Sequence, residues 1–196
     1  MIQHYEDIYP IYLEKSTETL SGLTDAVVLK TDAWNEVRLD IPGTGAIIGK
    51  VPNVKTWYCV EKMEKRSSPL REMYRSVNVI TGELQRISLP ENLFDGIICL
   101  GTINYMSYPS AGITLSSFAK WLKSNGRLYL VVWLFNGKNQ LTDSSNEDHR
   151  FYHNGDSFPM LITDAGFTIT EEEDIVNENN LNGQRLVGYK CMKGKL

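Results

Sequence analysis

Thr31 and Asp32 stand at the end of a mostly apolar run that starts at Ala26, and Glu61 closes another that starts at Lys55. A carboxylate at the end of the second strand of a nucleotide-binding unit can accept hydrogen bonds from both hydroxyls of a ribose. Thr and Asp are side chains that cap helix N-termini, and a strand followed by a helix N-terminus is where an α/β fold receives a ligand. Gly82-Glu83-Leu84 follows a third run, residues 77–81. Glu83 there suits the polar edge of a ligand, and Leu84 suits the face of a flat ring. A fourth run ends in Cys99, Leu100 and Gly101, whose small members let a ligand approach the backbone. Tyr5 and Tyr9 belong to a stripe with Ile8, Tyr12 and Leu13 that could cover such a site with hydroxyl-tipped rings. Plainer readings stand beside these. Glu61 could be an exposed strand-end carboxylate, and the tyrosine stripe could simply dock a helix on the core.

The elements that position these residues follow from hydrophobic period and turn residues. The chain is organised around residues 89–101, Leu-Pro-Glu-Asn-Leu-Phe-Asp-Gly-Ile-Ile-Cys-Leu-Gly. A Pro-marked turn followed by a short apolar run is the pattern of a strand buried on both faces of a parallel sheet. Further strands are expected at residues 26–31, 55–61, 77–81, 127–135, 167–170 and 186–192. Helices are expected over residues 4–20, with an interruption or kink near Pro10, then from Asp32, and over 62–74, 110–123 and 156–165. Residues 136–154 read as a long polar loop, and 171–183 as a mobile acidic turn that joins the last two strands as an antiparallel hairpin. The fold expected is α/β: a doubly wound, Rossmann-like, seven-stranded, mostly parallel sheet with an antiparallel C-terminal hairpin. It forms a single domain over residues 1–196, with 1–22 as an N-terminal helical lid on a 23–196 core. A competing frame makes Leu39-Asp40-Ile41 the first strand and Pro42-Gly43-Thr44-Gly45 a glycine-rich cofactor loop. It leaves only residues 46–52 for a helix, barely two turns and too short to cross back in a βαβ unit. Residues 42–45 are therefore read as an ordinary loop.

Composition excludes several classes. The chain has 196 residues, 42% apolar and 22% charged, enough for one domain with a sizeable core. Its net charge is −4 and it has no basic run, so nucleic acid is not an expected partner. No apolar stretch reaches membrane-spanning length, and the N-terminus does not read as a signal peptide. Cys59, Cys99 and Cys191 are dispersed in strand-like runs, which suits a reducing compartment. A cytoplasmic protein with no membrane partner is expected. His149 and His153 lie four apart but lack helical period or a carboxylate pattern, so no metal site is expected.

The order of elements resembles that of the class I S-adenosylmethionine-dependent methyltransferases. Gly82-Glu83, leading through Leu89-Pro90 to Phe94-Asp95-Gly96-Ile97-Ile98, is similar to the Gly-acid pair, Pro-containing connection and Phe-Asp strand common in small-molecule members. Trp121-Leu122-Lys123-Ser124-Asn125-Gly126-Arg127-Leu128 resembles the family's Leu-Arg-Pro-Gly-Gly turn before the fifth strand. Asp164-Ala165-Gly166-Phe167 resembles its Ala-Gly-Phe turn before the hairpin. The resemblance spans residues 26–192 and implies S-adenosylmethionine as cofactor. By the family's pattern Glu61, with Lys62 beside it, would hold the ribose. Gly82, Glu83 and Leu84 would meet the adenine, and Leu100 and Gly101 would line the methionine end. The family's glycine-rich first motif is replaced by Val28-Leu29-Lys30-Thr31-Asp32-Ala33-Trp34-Asn35-Glu36, similar to a subset of methyltransferase-like proteins with Leu-Lys-Thr-Asp in this place. Cofactor binding there would depend on Thr31, Asp32, Trp34 and backbone N–H groups.

The resemblance implies methyl transfer to a small-molecule acceptor, driven by holding donor and acceptor in line in a dry pocket. No catalytic residue is singled out; Tyr5, Tyr9 and Tyr105 are the substrate or lid candidates. A rival of another class is a methyltransferase-fold protein that binds a partner without turnover, which the altered first motif favours. A nicotinamide-dependent oxidoreductase is opposed by the late hairpin and by the lack of an intact G-x-G-x-x-G.

Overall fold

The computed structural model describes residues 5–32, 48, 50–135, 140–141, 151–176 and 184–194, excepting the side chains of 5–9, 32, 140–141 and 176. Its elements follow the chain as α1 (Tyr5–Thr19), β1 (Ala26–Asp32), β2 (Val54–Glu61), α2 (Glu64–Met73), β3 (Val77–Thr81), β4 (Phe94–Leu100), α3 (Tyr108–Trp121), β5 (Leu122–Phe135), β6 (Gln140–Leu141), β7 (Phe151–Asn154), α4 (Phe158–Asp164), β8 (Phe167–Val176) and β9 (Gln184–Lys193). Short 3-10 turns at Leu84–Arg86 and Thr102–Tyr105 flank β4.

The first five strands pair in parallel in the order β3-β2-β1-β4-β5, and β9 runs antiparallel between β5 and β8. The near-continuous apolar sequence of β4 explains its central place, since Ile97, Ile98 and Cys99 are fully buried between helix-covered faces. Side chains divide by strand parity. On one face Leu29, Ile97 and Leu130 pack with Leu115 and Phe118 of α3 and Phe158 of α4. On the other, Val28, Ile98, Tyr129 and Val131 pack with Tyr12 of α1 and with Leu20 just past its end. Each large aliphatic side chain buried this way contributes about 1.5–3 kcal/mol. Helices on both faces make the sheet doubly wound.

α1 lies along β5 in the opposite sense. The Arg127 guanidinium, near the start of β5, donates to the carbonyls of Thr19 and Ser21 at 2.8 and 2.6 Å and so closes the helix C-terminus. Tyr12, two turns earlier, packs in the cluster that holds Tyr129 and Val131. The first turns of α1 therefore extend toward the carboxyl end of β5.

The seven expected strands are present, and β6 and β7 add two short ones within the stretch read as a loop. β8 continues to Val176, so residues 171–176 are strand and not a mobile turn. Its acidic sequence hides this because the neutralising cations come from elsewhere. Lys190 meets Glu171 at 2.9 Å, Lys15 meets Glu173 at 3.0 Å and Arg185 meets Asp174 at 2.8 Å. α1 runs through Pro10 as one helix, without the expected interruption. A proline removes a single amide bond, and the burial of Tyr12, Ser16 and Leu20 offsets that loss. α3 begins at Tyr108, two residues earlier than expected, because Pro109 fits the first turn, where its missing N–H has no partner to lose. The helix expected from Asp32 and the competing frame at residues 39–45 lie outside the described residues. Among the described residues no helix is long and apolar enough to cross a membrane.

Candidate functional site

Parallel pairing carries the ends of β1 to β4 to one edge of the sheet. Thr31 pairs with both Val60 and Cys99, Asp32 with Leu100, and Glu61 with Thr81. The expected cofactor residues thus come from neighbouring strand ends, as the parallel order requires.

Glu61 is 4% exposed, which excludes the reading of an exposed strand-end carboxylate. Its Oε1 accepts the Met63 N–H at 3.0 Å, and its carbonyl accepts the Gly82 N–H at 3.0 Å. The carboxylate is therefore held over the N-terminus of α2. A polar network fixes that helix to the end of β3. Thr81 Oγ1 meets Ser67 Oγ at 2.6 Å and donates to Glu64 Oε2 at 2.8 Å. Arg71 donates to Thr81 Oγ1 and to Glu64 Oε1, each at 2.6 Å. The Arg71 guanidinium, with the two hydroxyls, holds the Glu64 carboxyl below the usual carboxylate range.

Glu83 is half-buried between two exposed cations, Lys62 Nζ at 3.2 Å and Arg86 Nε at 3.0 Å. Leu84 does not stand free for a ring: the 3-10 turn directs it into the α3-side core, where it is 6% exposed. Leu100 is buried in the α1-side core. Gly101 takes a φ of 69°, a left-handed conformation that a glycine adopts without strain. Its N–H donates to the Val131 carbonyl at 2.9 Å.

Thr31 is buried, and its hydroxyl donates to Thr102 Oγ1 at 2.6 Å, tying the end of β1 to the turn after β4. Tyr105 lies half-buried in that same turn. Tyr5 and Tyr9 lie in the first turns of α1, and their side chains, like that of Asp32 and all of Trp34, are outside the described residues. Sequence reasoning missed Thr102 and Asn104. Asn104 is 2% exposed; its amide bonds main-chain atoms of β5 and β7. A lone Asn in a turn carries no sequence signal for such a role. His153, buried on β7, meets the Ile103 carbonyl through Nε2 at 3.2 Å. Burial holds its imidazole below the ordinary histidine value, against a smaller upward pull from that carbonyl. Among the described residues, no group of three or more His, Cys, Asp or Glu gathers as a metal ion would need.

A parallel sheet in the order β3-β2-β1-β4-β5, covered by helices on both faces and extended by antiparallel β9 and β8, is the Rossmann-like fold of the class I methyltransferases. Residues 39–130 match the family model described as "Methyltransferase domain". The fold is similar to that of a 1,6-didemethyltoxoflavin-N1-methyltransferase from Burkholderia thailandensis, solved with 1,6-didemethyltoxoflavin and S-adenosylhomocysteine bound. The TM-score is 0.70 at 17% identity over 99% of this chain and 85% of that one. An S-adenosylmethionine dependent methyltransferase from Mesorhizobium loti gives 0.72 at 8% identity, over 94% and 99% of the two chains. The [4+2]-cyclase SpnF gives 0.70 at 12% identity, over 93% and 79%. No curated protein matches the sequence. The chain thus has the fold of the class I S-adenosylmethionine-dependent methyltransferases, and a little under half of it matches the methyltransferase-domain model. The family match begins at Leu39, where the competing frame of Leu39-Asp40-Ile41 and Pro42-Gly43-Thr44-Gly45 also begins, and those residues lie outside the described ones.

Proposed function

We propose that this chain is an S-adenosylmethionine-dependent methyltransferase acting on a small-molecule acceptor. The observation that carries the reading is Glu61. A carboxylate buried at the end of β2, with one oxygen already oriented by a helix N-terminal N–H, is preorganised to accept hydrogen bonds from vicinal hydroxyls. This acceptor suits the two hydroxyls of the cofactor's ribose. The absence of a side chain at Gly101 suits close approach of the cofactor's methionine end.

S-adenosylmethionine, when bound, supplies a methyl group on a sulfonium, which a nucleophilic acceptor takes by in-line displacement. The chain's own contribution is to bind and orient. In this reading Glu61 holds the ribose, and Lys62 beside it steadies Glu83. Gly82 and Glu83 face the adenine, with Leu84 supporting that turn from below. Leu100 and Gly101 line the methionine end, while Thr31, Asp32 and Trp34 close the side of β1. Tyr5, Tyr9 and Tyr105 cover the acceptor. Residues 1–196 act as one domain, with 1–22 as its helical lid. Positioning and the exclusion of water would supply most of the rate.

A second reading is favoured by one observation: Thr31, at the place of the family's glycines, is already engaged by Thr102. A chain that has lost cofactor binding could keep the fold for contacts with a partner, and the SpnF cyclase has a similar fold. Titration calorimetry with S-adenosylmethionine and S-adenosylhomocysteine separates the two. Micromolar binding that weakens about tenfold or more in Glu61→Ala supports the enzyme. A folded wild type that binds neither ligand supports the second reading.

A further inference from the structure

The two edges of β5 are unequal. Along one, β9 pairs continuously from Arg127 to Phe135. Along the other, β4 pairs as far as Val131, and β7 takes over at Leu134 and Phe135. Trp133 falls in the gap, where its partner is a side chain. Asn104 Oδ1 accepts the Trp133 N–H at 2.9 Å, and Asn104 Nδ2 donates to the Trp133 carbonyl at 2.9 Å. The same nitrogen donates to the Phe151 carbonyl at 2.8 Å. One buried amide thus replaces a rung of the sheet and joins β5 to β7 just beyond the end of β4.

That rung fixes a group of aromatic side chains. Leu134 pairs with His153, and His153 stacks toward Phe158 of α4 at 5.1 Å. Strand alternation then puts Trp133, Phe135 and Tyr152 together on the opposite face, the face of α1. All three are half-buried, and Trp133 packs against the α1-side core. The first turns of α1 extend toward this end of β5. Residues 99–119, 128–135 and 151–155 include no Asp, Glu, Lys or Arg, and Arg185 of β9, paired with Leu134, shares the α3 face and meets Asp174 at 2.8 Å. The charged groups Glu61, Lys62 and Glu83 belong to the β2 and β3 end instead. On the α1 face the β9 residues paired with Trp133 and Phe135 are Leu186 and Gln184, so a phosphate, carboxylate or ammonium acceptor would find no counter-charge among these paired residues. An uncharged ring would find partners for stacking.

We propose that Asn104 is a positioning residue for an aromatic acceptor shelf of Trp133, Phe135 and Tyr152, and that the shelf takes an uncharged, ring-bearing acceptor. This rests on the methyltransferase reading and names the substrate class for it. The test measures saturation-transfer NMR and titration of indole, with phenyl phosphate as the charged ring, on protein with and without S-adenosylhomocysteine. Indole is expected to bind in both states, and phenyl phosphate at least about tenfold more weakly. Trp133→Ala should abolish the indole signal. Asn104→Ala should weaken indole about tenfold while leaving S-adenosylhomocysteine affinity within about twofold, a split that general loosening of the fold would not produce. Asn104→Asp, which keeps the acceptor for the Trp133 N–H but loses both donors, should behave alike and serves if the Ala variant does not fold. Equal binding of phenyl phosphate, indole binding that survives Trp133→Ala, or parallel loss of both affinities in the Asn104 variants would each overturn the proposal. Indole binding at Trp133 without any S-adenosylhomocysteine binding would sink the methyltransferase reading and leave the shelf. Binding of S-adenosylhomocysteine without indole would do the reverse.

Discussion

Leu20, the residue after α1, fills the space that a side chain on Gly96 of β4 would need: a Cβ built there meets the Leu20 methyl group Cδ2 at a separation no packed pair tolerates. The Gly in Phe-Asp-Gly is thus the seat of the N-terminal helix. Gly96→Ala is expected to cost about 1–3 kcal/mol by overpacking. Leu20→Ala alone should cost roughly 2–5 kcal/mol. The double variant should lose clearly less than the sum, and urea unfolding of the four proteins measures that coupling. Strict additivity would mean that α1 is not seated on Gly96.

The cofactor frame can be tested at two places in the chain. If the region after β1 binds through the Thr31 segment, Thr31→Val should weaken S-adenosylhomocysteine about tenfold, with Gly43→Ala nearly silent. The opposite pattern would give the cofactor to the Pro-Gly-Thr-Gly run where the family match begins. Calorimetry on both variants, with Glu61→Gln as a common control expected to weaken binding, decides between them.

Acid should destabilise the fold in a window set by His153. Burial lowers its folded pKa below the ordinary 6.5, so the unfolded chain takes up a proton there before the native state does. Stability is therefore full above about 6.5 and falls as pH drops toward the folded value, by at most about 1.4 kcal/mol per pH unit. Thermal melts between pH 7.5 and 5.5 should show this slope, and His153→Gln should flatten it while lowering the melting point at neutral pH. Glu18, whose pKa is lowered chiefly by its hydrogen bond to Lys190, loses its contribution only as pH falls below 4.5, outside that window. An unchanged slope in the variant would remove His153 as its source.

Lys190 bridges the two ends of the described chain. Its ammonium meets Glu18 of α1 at 2.6 Å and Glu171 of β8 at 2.9 Å. Lys190→Met should cost roughly 1 kcal/mol at low salt and less at high salt, because part of the cluster is solvent-exposed. Hydrogen exchange should speed up first in α1. Salt-independent destabilisation would assign the effect to packing of the aliphatic stem.

The strands that could be read from sequence were those whose apolar runs are their own explanation, such as Ile97-Ile98-Cys99-Leu100. The sequence pattern shortens β8 because Glu171, Glu173 and Asp174 are polar until Lys190, Lys15 and Arg185 are brought beside them. Glu61 and Glu83 were legible as candidates because the end of a strand is a position that sequence marks. The burial of Glu61 was not legible, since it depends on how α2 folds back. Asn104 was out of reach for the same reason in stronger form. Its partners are main-chain atoms 29 and 47 residues further along, and main-chain atoms leave no trace in side-chain pattern.

The place of β9 sets an order of events during synthesis. It comes after β8 in the chain yet lies between β8 and β5, so the apolar edge of β5 from Arg127 to Phe135 has no permanent neighbour until about 50 further residues have emerged. β8 and the ion pair from Lys190 to Glu18 of α1 wait on the same strand. A ribosome paused in the Asn-rich stretch before Gln184 would hold an open-edged, aggregation-prone sheet. Arrival of Leu186 to Cys191 closes that edge and adds the Lys190 contact to a first helix already seated on β5.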